Sequence, residues 1–460
     1  MDSEYYKKLF IHQTNIIKKI HCTSIGNELD VLTDFHSNGS YESIAKYFVL
    51  KDNKDFAYMV RTTDLENENY ENNVKYITKS CYEYLNKSKV YGGEVLINKI
   101  GCPGLTFLMP YLNRPVSLGM NLFMLNMKQN SAINNVFLYL FLNSKIGKSL
   151  TSREVNGTVP LTIDKESIKS ILVPVFGQNF QSLLIQILKK REEFFILSRK
   201  SYVQAEDILN KELNITNVEN SKNYSIKSLS ESFVKSKRLD AEYYQDKYDQ
   251  ILDELKSTVT LSEICHIHTK NFTPIGKDLY KYIELADISN SDGEICEPKQ
   301  YYGKDLPNRA RRKIKKGQVL VSSIEGSLSS CALVMLDDVN LLCSNGFYVV
   351  DSDTINSETL LVLFKSRYIQ LLLKQRCSGT ILISIGENDF DNLPFVKINK
   401  KIQSQISQKV QESFKLRKQS KDLLNKAVKA VDIAIEKSEE DAIKWLKENT
   451  NEYFTNDKLK

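Results

Sequence analysis

One short cluster of metal-ligand side chains occurs in the chain, in the sequence Cys265-His266-Ile267-His268. On a strand, His266 and His268 would lie on the same face, as two ligands of one metal ion must. A structural zinc site needs four ligands, and no second Cys/His cluster in the sequence completes the set. The other histidines are scattered, and nothing pairs one of them with a nucleophile. We therefore predict no metal site and no catalytic residue.

Motifs that would hold a cofactor or a phosphate are missing as well. The sequence has no Gly-rich loop followed by Lys-Ser/Thr, and no Gly-x-Gly-x-x-Gly after a strand. Asp391-Asn392-Leu393-Pro394-Phe395 only superficially resembles the Asn/Asp-Pro-Pro-aromatic loop of amino-methyltransferases, because the chain contains no Pro-Pro pair. The sequence predicts a chain that performs no catalysis and carries no cofactor.

The densest group of cations precedes Gly317, where six of the eight residues 309–316 are Arg or Lys. Cations this dense are suited to contact the phosphates of a polyanion. A solvated helix end or a loop explains the run equally well, and the sequence leaves both interpretations open. With a net charge of only +6 over 460 residues, any basic footprint has to be local.

Small-residue turns and Gly-Thr pairs offer further contact points. Residues 100–104 and 325–329 are turns at which the backbone could approach a ligand closely, or they are ordinary strand exits. Residues 153–158 and 376–380 each set an Arg ahead of a Gly-Thr pair, which suits a base- or phosphate-contacting loop. A helix C-cap accounts for the glycine there but not for the Arg. The candidate nucleic-acid contacts are Lys99, Arg153, Thr158, Arg309, Arg311, Arg312, Lys313, Ser329, Arg376 and Thr380.

Short motifs recur along the chain in the same order. The Asp-x-Glu-Tyr-Tyr motif at residues 2–7 returns 238 residues later, and the Gly-x-Val-Leu-hydrophobic motif at 93–97 returns 224 residues later. An offset of 222 relates residues 138–145, the Gly-Thr pair at Gly157 and the Gln-Ser pair at Gln181 to their second copies. A constant offset over more than about forty residues predicts two copies of one ancestral unit.

Each copy ends in a long helix with one narrow apolar stripe, Gln178–Leu213 in the first and residues 402–435 in the second. Apolar residues in steps of three and four predict a coiled-coil seam, which only Arg417 and Lys421 interrupt in the second helix. The predicted seam and partner-docking residues are Leu184, Ile187, Phe194, Ile208, Ile406, Val410, Phe414, Leu424 and Val428. A match of residues 207–211 to 422–426 at an offset of 215 predicts that the two helices differ in length or register.

Between the motifs each copy is mixed α and β. Short β-branched runs at 95–97 and 319–321 predict strands, and 136–150 and 358–373 have the length and period of buried helices. The predicted fold class is therefore mixed α/β (α+β), with two similar globular domains in tandem joined by two long antiparallel coiled-coil helices. The predicted domains are 1–177, a spacer helix 178–213, a linker 214–236, a second domain 237–397, a spacer helix 398–437 and a tail 438–460. Trp445 and Leu446 could dock that tail, and fraying is the alternative.

The length and composition of the sequence agree with a soluble chain of two or more domains, because 460 residues exceed what one hydrophobic core usually serves. Hydrophobic residues make up 42% and charged residues 26%, the usual values for globular proteins. Eight cysteines without a Cys-x-x-Cys pair predict a reduced, intracellular protein. The longest apolar run, 136–142, falls well short of the about 20 residues that span a bilayer. We expect a cytoplasmic protein with no membrane partner.

Taken in order, these motifs resemble the specificity subunit of type I restriction–modification systems, over about residues 1–437. The matching stretches are Arg-Leu-Asp-Ala-Glu-Tyr-Tyr at 238–244, Lys-Gly-Gln-Val-Leu-Val-Ser at 316–322, Ser-Gly-Thr at 378–380 and the approach from Pro394 to Gln403. The family's Asp after the strand-entry glycine is Glu94 in one copy and Gln318 in the other. That departure puts particular loop contacts in doubt while leaving the order of motifs intact.

The resemblance implies a non-catalytic subunit that binds double-stranded DNA through two target-recognition domains and docks two adenine methyltransferase subunits on its helices. In a restriction complex a translocase–nuclease subunit would join them, and S-adenosylmethionine would be held by the methyltransferase rather than by this chain. Helices of roughly 50 Å, longer than one DNA turn of ~34 Å, would fix the gap between the halves of a bipartite site. The alternative is a non-catalytic protein-interaction scaffold with duplicated binding domains.

Overall fold

In a computed structural model, the chain is a mixed α/β protein in which one arrangement of strands and helices occurs twice. The structure describes residues 8–215, 225–255, 259–296 and 298–454. The first copy of the Tyr-Tyr motif, at residues 2–7, lies outside them, as do residues 216–224 of the predicted linker. Internal contacts divide the chain into a first unit, Met1–Phe195 with Lys418–Lys460, and a second unit, Ile196–Arg417.

The first repeat runs to the end of the first long helix. Its strands are β1 (Cys22–Ser24), β2 (Leu29–Asp34), β3 (Ala57–Val60), β4 (Lys75–Ile77), β5 (Lys89–Val90), β6 (Val95–Asn98), β7 (Thr106–Leu108), β8 (Val116–Leu118), β9 (Leu122–Met127) and β10 (Leu172–Pro174). Its α-helices are α1 (Lys8–Ile17), α2 (Ile25–Glu28), α3 (Tyr41–Ala45), α4 (Thr62–Glu66), α5 (Lys79–Tyr84), α6 (Asn135–Asn143), α7 (Lys145–Arg153), α8 (Lys165–Ser170) and α9 (Gln178–Leu213).

The second repeat follows a similar order of elements, with two additional strands and fewer short helices. Its strands are β11 (Val259–Thr260), β12 (His266–His268), β13 (Leu279–Ile283), β14 (Lys299–Tyr302), β15 (Ala310–Lys313), β16 (Val319–Ser322), β17 (Cys331–Leu333), β18 (Leu341–Ser344), β19 (Phe347–Asp351), β20 (Cys377–Ser378), β21 (Ser384–Ile385) and β22 (Pro394–Phe395). Its α-helices are α10 (Phe233–Ser236), α11 (Asp246–Leu255), α12 (Leu261–Ile264), α13 (Ser357–Lys365), α14 (Arg367–Arg376), α15 (Glu387–Asp391) and α16 (Lys400–Glu436). One more helix, α17 (Glu439–Thr450), comes after it.

Sheet topology is the same in the two repeats. The first has four-stranded sheets of order β4-β3-β8-β5 and β2-β9-β6-β7, and the second has β14-β13-β18-β15 and β12-β19-β16-β17. In each repeat one central pair is parallel, β3 with β8 and β13 with β18. Apart from the additional pair β20 and β21 in the second repeat, strand corresponds to strand in order, so the predicted fold class and tandem repeat are confirmed.

β6 and β16 are interior strands of their sheets, and every one of their residues is buried. Successive side chains of a strand point to opposite faces of its sheet. Accordingly, Val319 and Val321 pack into the core that contains the helices, whereas Leu320 packs into a separate core with β13 and β18. A sheet covered on both faces explains why these strands are continuous apolar runs instead of alternating ones.

The predicted helices at 136–150 and 358–373 are each two helices in the structure. α6 ends and α7 begins at Ser144, whose hydroxyl accepts a hydrogen bond from the Gly147 amide at 3.1 Å. In the second repeat Ser366 caps α14 in the same way, accepting from the Ile369 amide at 3.4 Å. Serine satisfies the free amides of a helix start, so one buried hydroxyl in each copy breaks what the apolar pattern shows as continuous.

The long helices α9 and α16 have 36 and 37 residues, and each begins in one unit and ends in the other. In the second unit Ser198 lies 3.2 Å from Ser413 and the Ser201 hydroxyl donates to the Lys409 carbonyl at 3.0 Å, which makes the helices antiparallel there. In the first unit the Ser420 hydroxyl donates to the Arg191 carbonyl at 3.0 Å. The middle of the seam is therefore polar.

Burial differs along the predicted seam, between its ends and its middle. Leu184, Ile187, Ile406 and Val410 are completely buried, but Phe414, Leu424 and Val428 are only half-buried, as are Phe194 and Ile208. The residues that α16 buries there instead are Ser413, Arg417, Ser420, Leu423 and Ala427. Serine hydroxyls therefore face the partner helix where the predicted apolar residues are only half-buried.

Both long helices begin at the 222-residue offset, so the match at 215 does not reflect their register, and α16 is one residue longer than α9. Gln181 donates from Nε2 to the Ala132 and Phe176 carbonyls, and Gln403 makes the same two bonds to Thr354 and Ile398. The alternative match is shifted by one heptad, the distance after which a coiled-coil sequence resembles itself. The helices share one register relative to their own repeats.

Candidate nucleic-acid interface

At one end of the second unit, backbone hydrogen bonds link the basic run to the Gly-Thr loop. The Asn345 amide donates to the Arg309 carbonyl at 2.8 Å, and the Ser323 amide donates to Gly346 at 2.9 Å. Ser323 in turn accepts from the Ile385 amide at 2.9 Å. Segments far apart in sequence thus meet at one edge, which we call the loop edge of the second unit (residues 309, 323–325, 345–346 and 379–385).

The first unit has a corresponding loop edge. The Lys99 amide donates to the Asn121 carbonyl at 2.8 Å, and the Lys99 carbonyl accepts from the Ile163 amide at 3.1 Å. The Gly101 amide donates to the Leu161 carbonyl at 3.1 Å. Each repeat therefore carries its small-residue turn and its Gly-Thr loop side by side, as the order of the motifs required.

Arg311, Arg312 and Lys313 of the basic run lie on an edge strand, whereas Arg309, Lys315 and Lys316 lie in the turns on either side of it. β15 lies at the border of its sheet, next to β18. Its residues alternate between inside and outside: Ala310 and Arg312 are buried, whereas Lys313 is exposed and Arg311 is half-exposed. Arg309, directly before the strand, is exposed as well. Cations on an edge strand prevent pairing with another chain, and they also present a row of charges that phosphates can contact.

Arg312 is the cation of this run that points inward. It is 8% exposed, its Nη1 donates to the His268 carbonyl at 3.1 Å, and its guanidinium lies 5.9 Å from the centre of the Tyr348 ring. These contacts hold β15 against β12 and β19. That Arg312 contacts DNA remains a prediction. Within the unit its contacts position β15.

The two Gly-Thr loops are the most exposed features of the loop edges. Gly157 and Gly379 have φ angles of +93° and +117°, which a side chain at these positions would strain. Thr158 and Thr380 that follow are exposed. Beyond each threonine the loop ends in an apolar residue, which is 93% exposed at Val159 and 99% at Ile381. Exposed apolar tips at the same place in both repeats were missed by the sequence analysis, although the residues are apolar in both copies.

Lys99 turns away from the loop edge into the first unit. Its Nζ lies 2.9 Å from Asp34 Oδ2, the side chain of Lys165 reaches the other oxygen at 2.9 Å, and Ser37 donates to Asp34 as well. Burial opposes the charged carboxylate, but the hydrogen bonds from Ser37, Lys165 and Lys99 outweigh it and hold the pKa of Asp34 well below its ordinary value. Lys99 thus fixes β2 to the loop edge.

The remaining predicted contacts also bind inside their own unit. Arg153 donates from Nη1 to the Thr14 hydroxyl at 2.9 Å, and Arg376 donates to the Leu372 carbonyl at 3.3 Å. Burial lowers the pKa of Arg376. The carbonyl of Ser329 accepts from Lys365 at 3.3 Å. Their roles toward DNA stay predictions.

Arg238 is a positioning residue that the candidate set lacked. Its guanidinium pairs with Asp240 at 2.7 Å and donates to the Cys377 carbonyl at 3.1 Å, directly before the Gly-Thr loop of the second repeat. The hydrogen bond to Asp240 raises the pKa of Arg238 although burial opposes it. The Arg-x-Asp spacing at the second copy of the Tyr-Tyr motif was the available signal, since two residues on such a turn can form a bidentate pair.

The histidines of the one metal-like cluster are hydrogen-bonded to carboxylates. His266 Nε2 lies 2.9 Å from Asp353, and His268 Nε2 lies 2.8 Å from Asp351. Cys265 is buried, and burial raises the pKa of its thiol to about 12. Within residues 8–215, 225–255, 259–296 and 298–454, no three His, Cys, Asp or Glu side chains come together as a metal ion would require.

Comparison with known proteins gives structural similarity only. The chain resembles the crystal structure of a type I restriction–modification system S subunit from M. genitalium, with 14% identity, 93% of this chain and 96% of that one covered, and a TM-score of 0.37. It also resembles the HsdS subunit from Thermoanaerobacter tengcongensis, with 14% identity, 91% and 97% coverage, and a TM-score of 0.29. A structure on the assembly and conformational transition of the type I R-M system gives 13% identity, 89% and 97% coverage, and a TM-score of 0.29.

No protein-family model and no curated protein matches the sequence. Identities and TM-scores this low carry no function over to this chain, so its role has to be argued from its own residues. Among the helices of the described residues, none has the length and apolar character to cross a membrane.

Proposed function

We propose that this chain is the non-catalytic DNA-specificity subunit of a type I restriction–modification or methylation-only complex in the cytoplasm. Its two repeats each read one half of a bipartite double-stranded DNA site. Adenine methyltransferase subunits dock on its long helices and carry S-adenosylmethionine, and a translocase–nuclease subunit joins them in a restriction complex.

The duplication carries this proposal. Two globular modules with the same strand order each present a turn and a Gly-Thr loop on one edge, and each is followed by a long helix at the same offset. A duplicated recognition module suits a target that has two halves. The loop edge of the second unit is joined to an edge strand whose exposed cations suit phosphates, since phosphate contacts position a protein on DNA.

Helix length supports a fixed spacing of the half-sites. A helix of 36 or 37 residues is about 54 Å long at 1.5 Å per residue, compared with ~34 Å for one turn of DNA.

The proposal is tested by co-expressing the chain with a cognate methyltransferase and sequencing the genomic DNA for methylated bases. We expect methylated adenines in one motif made of two short specific sequences separated by a gap of constant length. A genome without such a motif, in cells that contain the assembled complex, contradicts the proposal and favours the protein-interaction scaffold.

The contribution of β15 is tested by charge reversal. Changing Arg309, Arg311 and Lys313 to Glu in the full complex should weaken DNA binding and flatten its salt dependence, by roughly 0.9 in the logarithmic slope for each phosphate that the strand no longer neutralises. The matched control changes three exposed lysines around β14, at the opposite border of the same sheet, and should leave the slope unchanged. The control positions are Lys277, Lys299 and Lys304.

A further inference from the structure

The Gly-Thr loops of the two repeats are tight hairpins that correspond residue for residue. In the second unit β20 pairs with β21, and Ser378 lies opposite Ser384. At the corresponding positions of the first unit, the Asn156 and Thr162 amides each donate to the carbonyl of the other residue at 2.8 Å. Five residues close each hairpin, Gly-Thr-Val-Pro-Leu at 157–161 and Gly-Thr-Ile-Leu-Ile at 379–383.

A neighbouring turn supports each hairpin from the side. In the first unit this turn follows β6, and the Gly101 amide donates to the Leu161 carbonyl at 3.1 Å. In the second unit it follows β16, and the Glu325 amide donates to the Ile383 carbonyl at the same distance, 3.1 Å. Backbone hydrogen bonds from two directions thus fix the end of each hairpin, so little conformational entropy is lost when that end binds.

Apolar side chains occupy the end of both hairpins, where the usual turn residues are small or polar. We call Val159, Pro160 and Leu161 the apolar tip of the first unit, and Ile381, Leu382 and Ile383 the apolar tip of the second unit. All six residues are exposed, with 93% of Val159 and 99% of Ile381 accessible to solvent. Neighbouring apolar side chains left in water at the same place in both repeats indicate contact with another molecule.

The size and place of the apolar tips favour DNA over a protein as that molecule. A stable protein interface buries about 800 Å² on each partner and takes ~20–30 residues, far more than three residues provide. Apolar side chains on a narrow projection suit the gap between two base pairs, which one or two of them can fill. Each tip also follows an exposed threonine, Thr158 or Thr380, and a threonine hydroxyl can contact a phosphate or a base edge.

The charges beside the second tip also have partners on DNA. Ile383 lines a cleft together with Lys237 and Lys374, which are exposed, and with Glu325 and Asp389. Lysines can neutralise the phosphates on either side of a base step. A carboxylate can accept a hydrogen bond from the N4 amino group of a cytosine. A base step opened at the tip offers both kinds of group.

We propose that each apolar tip is a wedge that enters DNA between two adjacent base pairs of its half-site, led by Val159 in the first unit and by Ile381 in the second. This inference rests on the proposed function and adds how the DNA is deformed. Insertion unstacks the base step and kinks the duplex, and it buries the apolar side chains between the bases. Because pyrimidine–purine steps unstack most easily, each half of the bipartite site should contain a TA, CA or TG step.

The test uses 2-aminopurine, whose fluorescence rises when it is unstacked, placed in turn at each position of the methylated motif. The duplex is saturated with the complete complex of this chain and the methyltransferase. The wild type should give a rise at the target adenines, which a methyltransferase flips out of the stack, and at one further step in each half. Val159→Ser should abolish the further rise in one half only, and Ile381→Ser in the other half only.

Matched variants separate the wedge from a general effect on the fold. Val159→Leu and Ile381→Leu keep an apolar tip and should keep the further rise. Val339→Ser is the control, because Val339 is 78% exposed elsewhere in the second unit, and it should change nothing. The serine variants of the tips should weaken binding to the motif by about tenfold. They should leave its salt dependence unchanged, since no charge is removed.

The outcomes distinguish the wedge from the proposed function. A methylated motif with fluorescence rising only at the target adenines overturns the wedge alone, as does a serine variant that keeps the further rise. If the serine variants lose methyltransferase subunits, counted by native mass spectrometry, the tips are protein contacts and the wedge is overturned as well. If no methylated motif is found, the proposed function fails and the wedge fails with it.

Discussion

The buried charges around Asp34 allow a sharp test of the role of Lys99. Lys99 and Asp34 are each 7% exposed and lie 2.9 Å apart, while Lys165, the second partner of Asp34, is partly solvated. Asp34→Asn leaves the Lys99 ammonium buried without its counter-charge, which should cost about 3–5 kcal/mol of unfolding free energy. Lys99→Met leaves Asp34 with Lys165 and Ser37, so the loss should be smaller, about 1.5–3 kcal/mol.

The assay is hydrogen exchange of the amides in β2 and β6, because local protection does not require the whole chain to unfold in one step. The double variant should lose less than the sum of the single variants, since the two side chains interact directly. DNA binding of folded Lys99→Met should equal that of the wild type. If that variant keeps its protection but loses DNA affinity, Lys99 reads DNA and the structural argument is refuted.

The dependence on pH follows from the direction of the Asp34 shift. A carboxyl group whose pKa is lowered on folding stabilises the fold at pH values above its unfolded pKa, ordinarily about 3.9. That stabilisation is lost as the pH falls through the folded-state value. The difference between wild type and Asp34→Asn should therefore be constant near neutrality and shrink below about pH 4, as exchange measured at several pH values will show.

Three further changes have definite expected outcomes. Gln403→Ala removes two hydrogen bonds to backbone carbonyls, the one to Ile398 being buried, and should destabilise the second unit by about 1–3 kcal/mol, seen as faster exchange at the start of α16. Gly293→Ala should lower the melting temperature, because φ is +74° and the added carbon would lie 2.7 Å from the Cys331 carbonyl; Gly326→Ala, with open space around it, should not. At pH 8 iodoacetamide should alkylate exposed Cys102 well before Cys331, because burial raises the pKa of the Cys331 thiol to about 11. Equal rates of alkylation would show that the core of the second unit opens readily.

The duplicated fold could be predicted from the sequence because it is indicated by short motifs, each of which specifies local structure. A glycine before a β-branched run, or a Gly-Thr pair after a helix, specifies a turn within a few residues, and each such feature appears twice. The register of the seam could not be read in this way. Arg417 is buried in the seam because Glu294, far away in sequence, lies 3.5 Å from its Nε. A helix sequence taken alone gives no sign of that partner.

The candidate interface was predictable in position but not in orientation. The basic run showed where cations concentrate, yet the direction of each side chain depends on β15 being a strand. The apolar residues Ala310 and Ile314 on either side of Arg312 carry the period of two that reveals it, and all three are buried. The orientations of Lys99 and Arg153 could not be predicted from the sequence, because their partners Asp34 and Thr14 come from distant segments.

The composition of the first unit has a consequence for the order of events during synthesis. Its core contains Leu184 and Ile187 from α9 together with Leu423 and Ala427 from α16, whereas the second unit is the single continuous segment Ile196–Arg417. At about 5–20 residues per second, a ribosome needs roughly 10–45 s to make that segment. Throughout this interval the core of the nascent first unit is incomplete. All residues of the second unit are therefore synthesised before the first unit has all of its own.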